Sequence, residues 1–285
     1  MVKIVTDSGC DIPKEWYPKL DLGIIPFNII LGDKEYLDGI DLDPAMIYKY
    51  VAESKKLPKT AAISPACYRE NFEKFAQGGS EVVYIALSSG ISASYSHAVS
   101  AASDMKNVYV VNSKSLSSGV ALLILYACEL RDSGMSAAEI VKNLDRRAPG
   151  VQCSFLLDKL EFLHKGGRCT GLERLASTLL KIKPTIIMEE KMRVGKKYVG
   201  NWANNLLKYV DDTFIRYPEP DLKRIFITYT TVDPDVLDKV KERVLKKFPF
   251  EEIIENTAQG TITSHCGKNT LGILYMSRDE KEGLS

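Results

Sequence analysis

The sequence predicts an α/β protein of two domains, and three observations lead there. Over the first 150 residues, short apolar runs alternate with amphipathic stretches, the pattern of βαβ units around a parallel sheet covered by helices on both faces. That alternation breaks at Pro149-Gly150, a turn pair that follows a helix-like segment and marks a domain junction. Beyond it the apolar runs crowd toward the C-terminal end with little helix-like sequence between them, which predicts a mixed sheet with helices mainly on one side. At 285 residues the chain can bury two cores, and the expected division is 1–150 and 151–285.

Taken in order, Lys3–Val5, Gly23–Leu31, Val82–Leu87 and Val108–Val111 read as the strands of the first domain. Asp43–Ser54, Pro65–Ala76, Ser92–Met105, Ser117–Ser133 and Ser136–Ala148 read as its helices. Two helix starts are well marked, because Asp43 precedes Pro44 and Ser64 precedes Pro65, a capping side chain followed by proline at the first helical position. In the second domain Val151–Leu157, Lys183–Glu189, Arg224–Tyr229, Glu251–Thr257 and Thr270–Met276 read as strands.

Composition narrows the function. With 38 Lys and Arg against 37 Asp and Glu, the chain lacks the positive excess that phosphate backbones require, which argues against nucleic acid. The opening MVKIVTDSG has no signal-peptide core, and no 18-residue apolar run is present, so a cytoplasmic protein is expected. Six cysteines without CxxC spacing fit reduced thiols there. Three dispersed histidines supply no metal-ligand spacing. No coiled-coil or repeat pattern calls for self-association, and a monomer is the default expectation.

Ligands of open parallel sheets settle at the carboxyl ends of strands. Here those ends are rich in hydroxyls: Thr6 and Ser8, then Thr60 and Ser64, then Ser88, Ser89 and Ser92, then Ser113, Ser115, Ser117 and Ser118. Any one of them is readily explained as a helix cap, but four strand ends with one bias point to a small anion or carboxylate held by hydroxyls and helix N–H groups. Neither GxGxxG nor GxxxxGK[ST] occurs, so a nucleotide is not indicated.

Six segments, in order, carry a family resemblance. VTDSGCDIP, KTAAISP, SSGISASY, FLHKGGR (Phe162–Arg168), KIKP (Lys181–Pro184) and SHCGKNTLG (Ser264–Gly272) are similar to motifs of the DegV family, and the match spans essentially the whole chain. The resemblance implies a two-domain DegV-like fold that binds one long-chain fatty acid between its domains, with no other cofactor. It places the fatty-acid carboxylate on Thr60 and Ser92 with His265 beside them, and leaves Ser64 and Ser89 as supporting contacts. It further implies a separate fatty acid kinase as partner, which phosphorylates the presented carboxyl group to an acyl phosphate for phospholipid synthesis, with transient membrane contact allowed. Lys165 and Arg168, flanking two glycines, would contact that kinase or the acyl phosphate. In this reading the chain is a lipid carrier rather than an enzyme. The alternatives are a carrier of another amphiphilic carboxylate, and a serine acyl hydrolase using Ser92 and His265. Against the hydrolase, no GxSxG elbow is present. The sequence departs from the family's usual residues at Ala61, Ala93, Val199, Lys268 and Asn269.

Overall fold

A computed structural model describes residues 1–172 and 182–279. Lys181, in the KIKP segment, therefore lies outside the described residues. The chain divides into two compact units. Unit 1 comprises Met1–Pro149 together with Gln259–Ser264, and unit 2 comprises Gly150–Ala258 and the chain from His265 onward. The return of Gln259–Ser264 to unit 1 is a feature that a single cut near residue 150 does not contain.

Unit 1 runs β1 (Val2–Asp7), β2 (Leu22–Ile25), β3 (Asn28–Leu31), β4 (Lys34–Leu37), α1 (Pro44–Ser54), β5 (Lys59–Ala61), α2 (Pro65–Phe75), β6 (Glu81–Ala86), α3 (Ser94–Ala102), β7 (Val108–Asn112), α4 (Ser118–Asp132) and α5 (Ala137–Arg147). Its main sheet has the order β2-β1-β6-β7, with every neighbouring pair parallel. Helices α2 and α3 pack together against strands of this sheet, and α4 and α5 form a second such pair, giving three layers. Helix α4 is apolar through most of its length and buried nearly all round, as a helix at the centre of a core must be. The single strand expected over Gly23–Leu31 is instead two. Pro26 has no amide hydrogen for a ladder, and after it β3 joins β4 and β5 in a small antiparallel sheet.

Unit 2 runs β8 (Val151–Leu157), α6 (Glu161–Gly166), β9 (Cys169–Thr170), β10 (Ile182–Glu189), β11 (Lys191–Val199), α7 (Trp202–Thr213), β12 (Pro220–Tyr229), α8 (Pro234–Lys247), β13 (Glu252–Thr257) and β14 (Thr270–Ser277), with α9 (Gly260–Cys266) between the last two in the chain. Helix α9 starts in unit 1 and ends in unit 2. The seven strands form one mixed sheet in the order β13-β12-β14-β8-β10-β11-β9. Helices α7 and α8 touch and share one apolar core, with Leu206, Tyr209 and Val210 from α7 and Leu237, Val240 and Val244 from α8. The sequence pattern predicts little helix between the later strands, whereas α8 stands between β12 and β13 and α9 between β13 and β14. Asp233 caps α8 and Pro234 opens it, the same signal that marks α1 and α2, and its apolar positions repeat at helical spacing.

Candidate functional site

The hydroxyl-rich strand ends of unit 1 are tied to one another rather than left as independent caps. Ser88 and Ser92 belong to one tight turn after β6, in which the Ile91 and Ser92 amides donate to the Ser88 carbonyl at 3.2 and 3.3 Å. Helix α3 starts at Ser94, two residues later than the sequence suggested, because Ser92 Oγ accepts the Ser94 amide at 3.1 Å. Ser92 is half-buried and its hydroxyl donates to Ser94 Oγ at 3.0 Å. Ser89 is exposed and exchanges two hydrogen bonds with the Asn112 side chain. Ser64 is exposed and serves as the cap of α2, accepting the Cys67 amide at 3.2 Å.

Thr60 lies half-buried on β5, in register with Ile29 of β3. The segment that follows it is joined to α3 through His97, whose Nδ1 is 2.8 Å from the Ile63 carbonyl oxygen. The position of His97, five residues after Ser92, connects the Thr60 segment to the helix of the serine turn.

Beneath these hydroxyls unit 1 buries three carboxylates, none of them singled out from sequence. Asp7 accepts from the Gly9 amide at 3.0 Å, the Tyr84 hydroxyl at 2.9 Å and the Leu87 amide at 3.3 Å. Asp11 accepts from the Gln259 amide at 2.7 Å and the Ser117 hydroxyl at 2.5 Å. Asp38 accepts from the Gly260 and Thr261 amides, both at 2.9 Å, and from the Thr261 and Ser8 hydroxyls at 2.6 and 3.0 Å. Burial disfavours the ionised form of all three, raising Asp7 to about 6 and Asp11 to about 8, with Asp38 raised as well. Asp11 and Asp38 together hold the returning segment Gln259–Ser264 in place.

In unit 2, His265 sits near the end of α9, half-buried, with Nδ1 shielded from solvent. The turn after α6 packs on it. A Cβ at Gly166 would stand 2.8 Å from His265 Nδ1, so only glycine allows this approach. Gly167 follows in the left-handed region, at φ 67°, and ends α6. Burial and then the Arg168 charge depress His265 to about 4, so the ring is neutral at physiological pH. Lys165 and Arg168 are exposed; Lys165 pairs with Glu161 at 3.0 Å, and Arg168 donates to the Gly166 carbonyl at 2.5 Å. The structure thus brings His265 and the KGGR turn together within unit 2.

A sequence profile described as "Uncharacterised protein, DegV family" matches residues 1–278. The chain belongs to the DegV family. A DegV domain-containing protein of Clostridium acetobutylicum is 28% identical, covering 97% of this chain and 99% of the relative. Among solved structures, a Thermus thermophilus DegV family protein described by its fatty acid binding is 27% identical with a TM-score of 0.88, covering 97% of this chain and 99% of that one. Bacillus subtilis DegV, described as a fatty acid binding protein, is 25% identical with a TM-score of 0.83, covering 97% and 99%.

Two departures of this DegV-family chain have a structural account. Ala93 adopts φ −72°, which any residue tolerates, so the backbone there does not call for glycine. Asn269 adopts φ 55°, where asparagine is among the few side chains that fit readily. Its side chain then bonds Asp158 and Thr231 at 3.2 Å each, fixing the loop after α9. At Val199 the side chain is 72% exposed, an apolar position on the surface. No helix among the described residues is long and apolar enough to cross a membrane.

Proposed function

We propose that this chain binds one long-chain fatty acid, with its carboxyl group held by Thr60 and Ser92 and by His265 as a further donor. The observation that carries the reading is the match over 97% of the chain to a family member whose described property is fatty acid binding. The chemistry of the site agrees with it. Burying about 14 methylenes at ~0.8 kcal/mol each gives ~11 kcal/mol before the entropy of association is subtracted. The tail therefore dominates affinity, and the head group needs orientation more than grip. Neutral donors contribute ~1.5–3 kcal/mol each to a charged acceptor and leave a carboxylate oxygen free to react.

The free oxygen suits a carrier that presents its cargo to a separate cytoplasmic kinase, without catalysis of its own. Lys165 and Arg168 stand exposed beside His265 and are proposed as the contact with that kinase or with the acyl phosphate. Intact-mass measurement on the purified protein, native and then denatured, tests the reading. The native mass is expected to exceed the chain by one fatty acid that is lost on denaturation, and Ser92→Ala is expected to reduce occupancy. A protein that stays empty when offered palmitate and oleate overturns it. Arg168→Ala is expected to slow acyl-phosphate formation by a fatty acid kinase while leaving palmitate binding intact; unchanged turnover removes Arg168 from the proposal.

A further inference from the structure

The two hydroxyls of unit 1 assigned to the head group lie on separate pieces of chain, each leading into a helix. Thr60 stands on β5, ahead of Ser64, the cap of α2. Ser92 stands in the turn that opens α3. The distance between the two hydroxyls therefore depends on how α2 and α3 are set against each other along their length. Two side chains fix that setting, one close to the serine turn and one at the other end of α3. Close to the turn, His97 in the first turn of α3 reaches the Ile63 carbonyl oxygen with Nδ1 at 2.8 Å. Ile63 is buried, beyond the last ladder pair of β5 and ahead of the first turn of α2. At the other end, Arg69 of α2 donates to the Ala101 carbonyl at 3.3 Å and pairs with Asp104 just past α3.

A carbonyl oxygen has only lone pairs to offer, so Nδ1 of His97 must carry the proton. The neutral Nδ1–H tautomer and the imidazolium both donate there, and the tie holds in either form. Its acceptor is anchored as well. Ser64 closes the first turn of α2 by taking the Cys67 amide, and Ile63 is the residue just before that cap. On α3 the His97 amide donates to the Ala93 carbonyl at 3.0 Å, one residue from Ser92. The path from the imidazole to either hydroxyl is thus a short run of chain. Loss of the tie frees α3 to shift on α2 at the end that bears Ser92, while Arg69 still holds the other end.

We propose that His97 is a positioning residue for the head group: its bond to the Ile63 carbonyl sets the spacing of Thr60 and Ser92 that a carboxylate meets. This rests on the reading that Thr60 and Ser92 hold the carboxyl group. The need for such a device is directional. Hydrogen bonds weaken steeply once donor and acceptor leave good alignment, and two donors on one carboxylate must both be aligned at once. The aliphatic tail makes no such demand, because burial of methylenes is non-directional. A change at His97 should therefore be felt by a carboxylate and not by a ligand that shares only the tail.

Equilibrium binding of palmitate and of hexadecanol to the full chain, beside urea unfolding, tests it. His97→Leu is expected to weaken palmitate about tenfold, the loss of one donor to a charged acceptor, and to leave hexadecanol binding near wild type. His97→Asn places its amide Nδ2 as many bonds from the backbone as Nδ1, and is expected to restore palmitate affinity. Arg69→Met cuts the other tie, and is expected to lower the urea midpoint while palmitate affinity stays. Should His97→Leu fail to fold, His97→Gln, with its donor one bond further out, carries the same prediction. If wild type binds palmitate and His97→Leu matches it, the proposal falls while the fatty-acid reading stands. It falls equally if His97→Leu weakens palmitate and hexadecanol alike, or if His97→Asn is as weak as His97→Leu. Equal weakening of palmitate by Arg69→Met makes the role of His97 merely structural and overturns it too. If wild type binds no palmitate, both fall.

Discussion

Asp38 in unit 1 and Asp158 in unit 2 are both carboxylates drawn out of water, and the molecule treats them oppositely. Asp38 is met by two amides and two hydroxyls. Burial outweighs those four donors and raises its pKa. Asp158 is met by the Lys183 ammonium at 2.6 Å and by the Asn269 amide at 3.2 Å. Burial pushes it up too, but Lys183, Asn269 and the Lys159 charge outweigh burial and hold it below the usual range. One lysine thus separates a carboxylate that braces strand ends at any ordinary pH from one that competes for protons. Thr60 and Ser92, two of the proposed head-group contacts, lie in the unit whose carboxylates compete for protons.

The hardest way to break the comparison is Asp38→Ala. It strips the acceptor from four donors at once, and each orphaned buried donor costs ~1–3 kcal/mol. Urea unfolding is expected to show a loss of several kcal/mol or failure to fold, and an unchanged midpoint would remove Asp38 as the anchor of Gln259–Ser264.

Next in size is Lys183→Met, which leaves Asp158 without its cation. A loss of ~1–3 kcal/mol is expected at pH 7. That loss should shrink as pH falls and Asp158 protonates, so equal losses at pH 7 and pH 4 would contradict the ion pair's role.

The pH dependence of stability separates the two regions further. Asp11 and Asp7 have native pKa values of about 8 and 6, above the unfolded value of 3.8. Between the unfolded and native values the native state holds protons that the unfolded chain has released, so stability rises as pH falls from 8 toward 6. Asp11→Asn is expected to flatten the upper part of that limb in thermal melts, and a limb that persists unchanged assigns it elsewhere.

A smaller effect is expected at Gly166→Ala. The added methyl would press on His265 Nδ1, displacing the ring and shifting its imidazole NMR resonances, and unmoved resonances would argue against the close approach. Smallest of all, Lys165→Ala removes an exposed pair with Glu161 and should leave the unfolding midpoint in place.

Much of the fold was legible because local chemistry and tertiary packing agree. Asp43-Pro44 and Ser64-Pro65 start helices where their caps say they should. Helix α8 carries the same Asp-Pro signal, but strand-like runs flank it closely on both sides and mask it. Ser92 was legible as a candidate from its strand-end position, but the start of α3 at Ser94 depends on a side-chain cap within a turn. Asp7, Tyr68 and Tyr84 were not legible as a group. They stand 61 and 16 residues apart in the chain, and only the pairing of β1 with β6 and the packing of α2 bring their oxygens into line. Nor does any local pattern show that Gln259–Ser264 leaves its neighbours in sequence to satisfy Asp11 and Asp38.

That returning segment sets the order in which the protein can be made. Unit 1 has its sheet and five helices once Pro149 is synthesised, yet the Gln259 amide lies about 110 residues further along. At roughly 5–20 residues per second, translation takes on the order of 5–20 s to reach it. During that interval the nascent first unit holds Asp11 and Asp38 without the amides that later close over them, and it is completed only after most of the second unit has been translated.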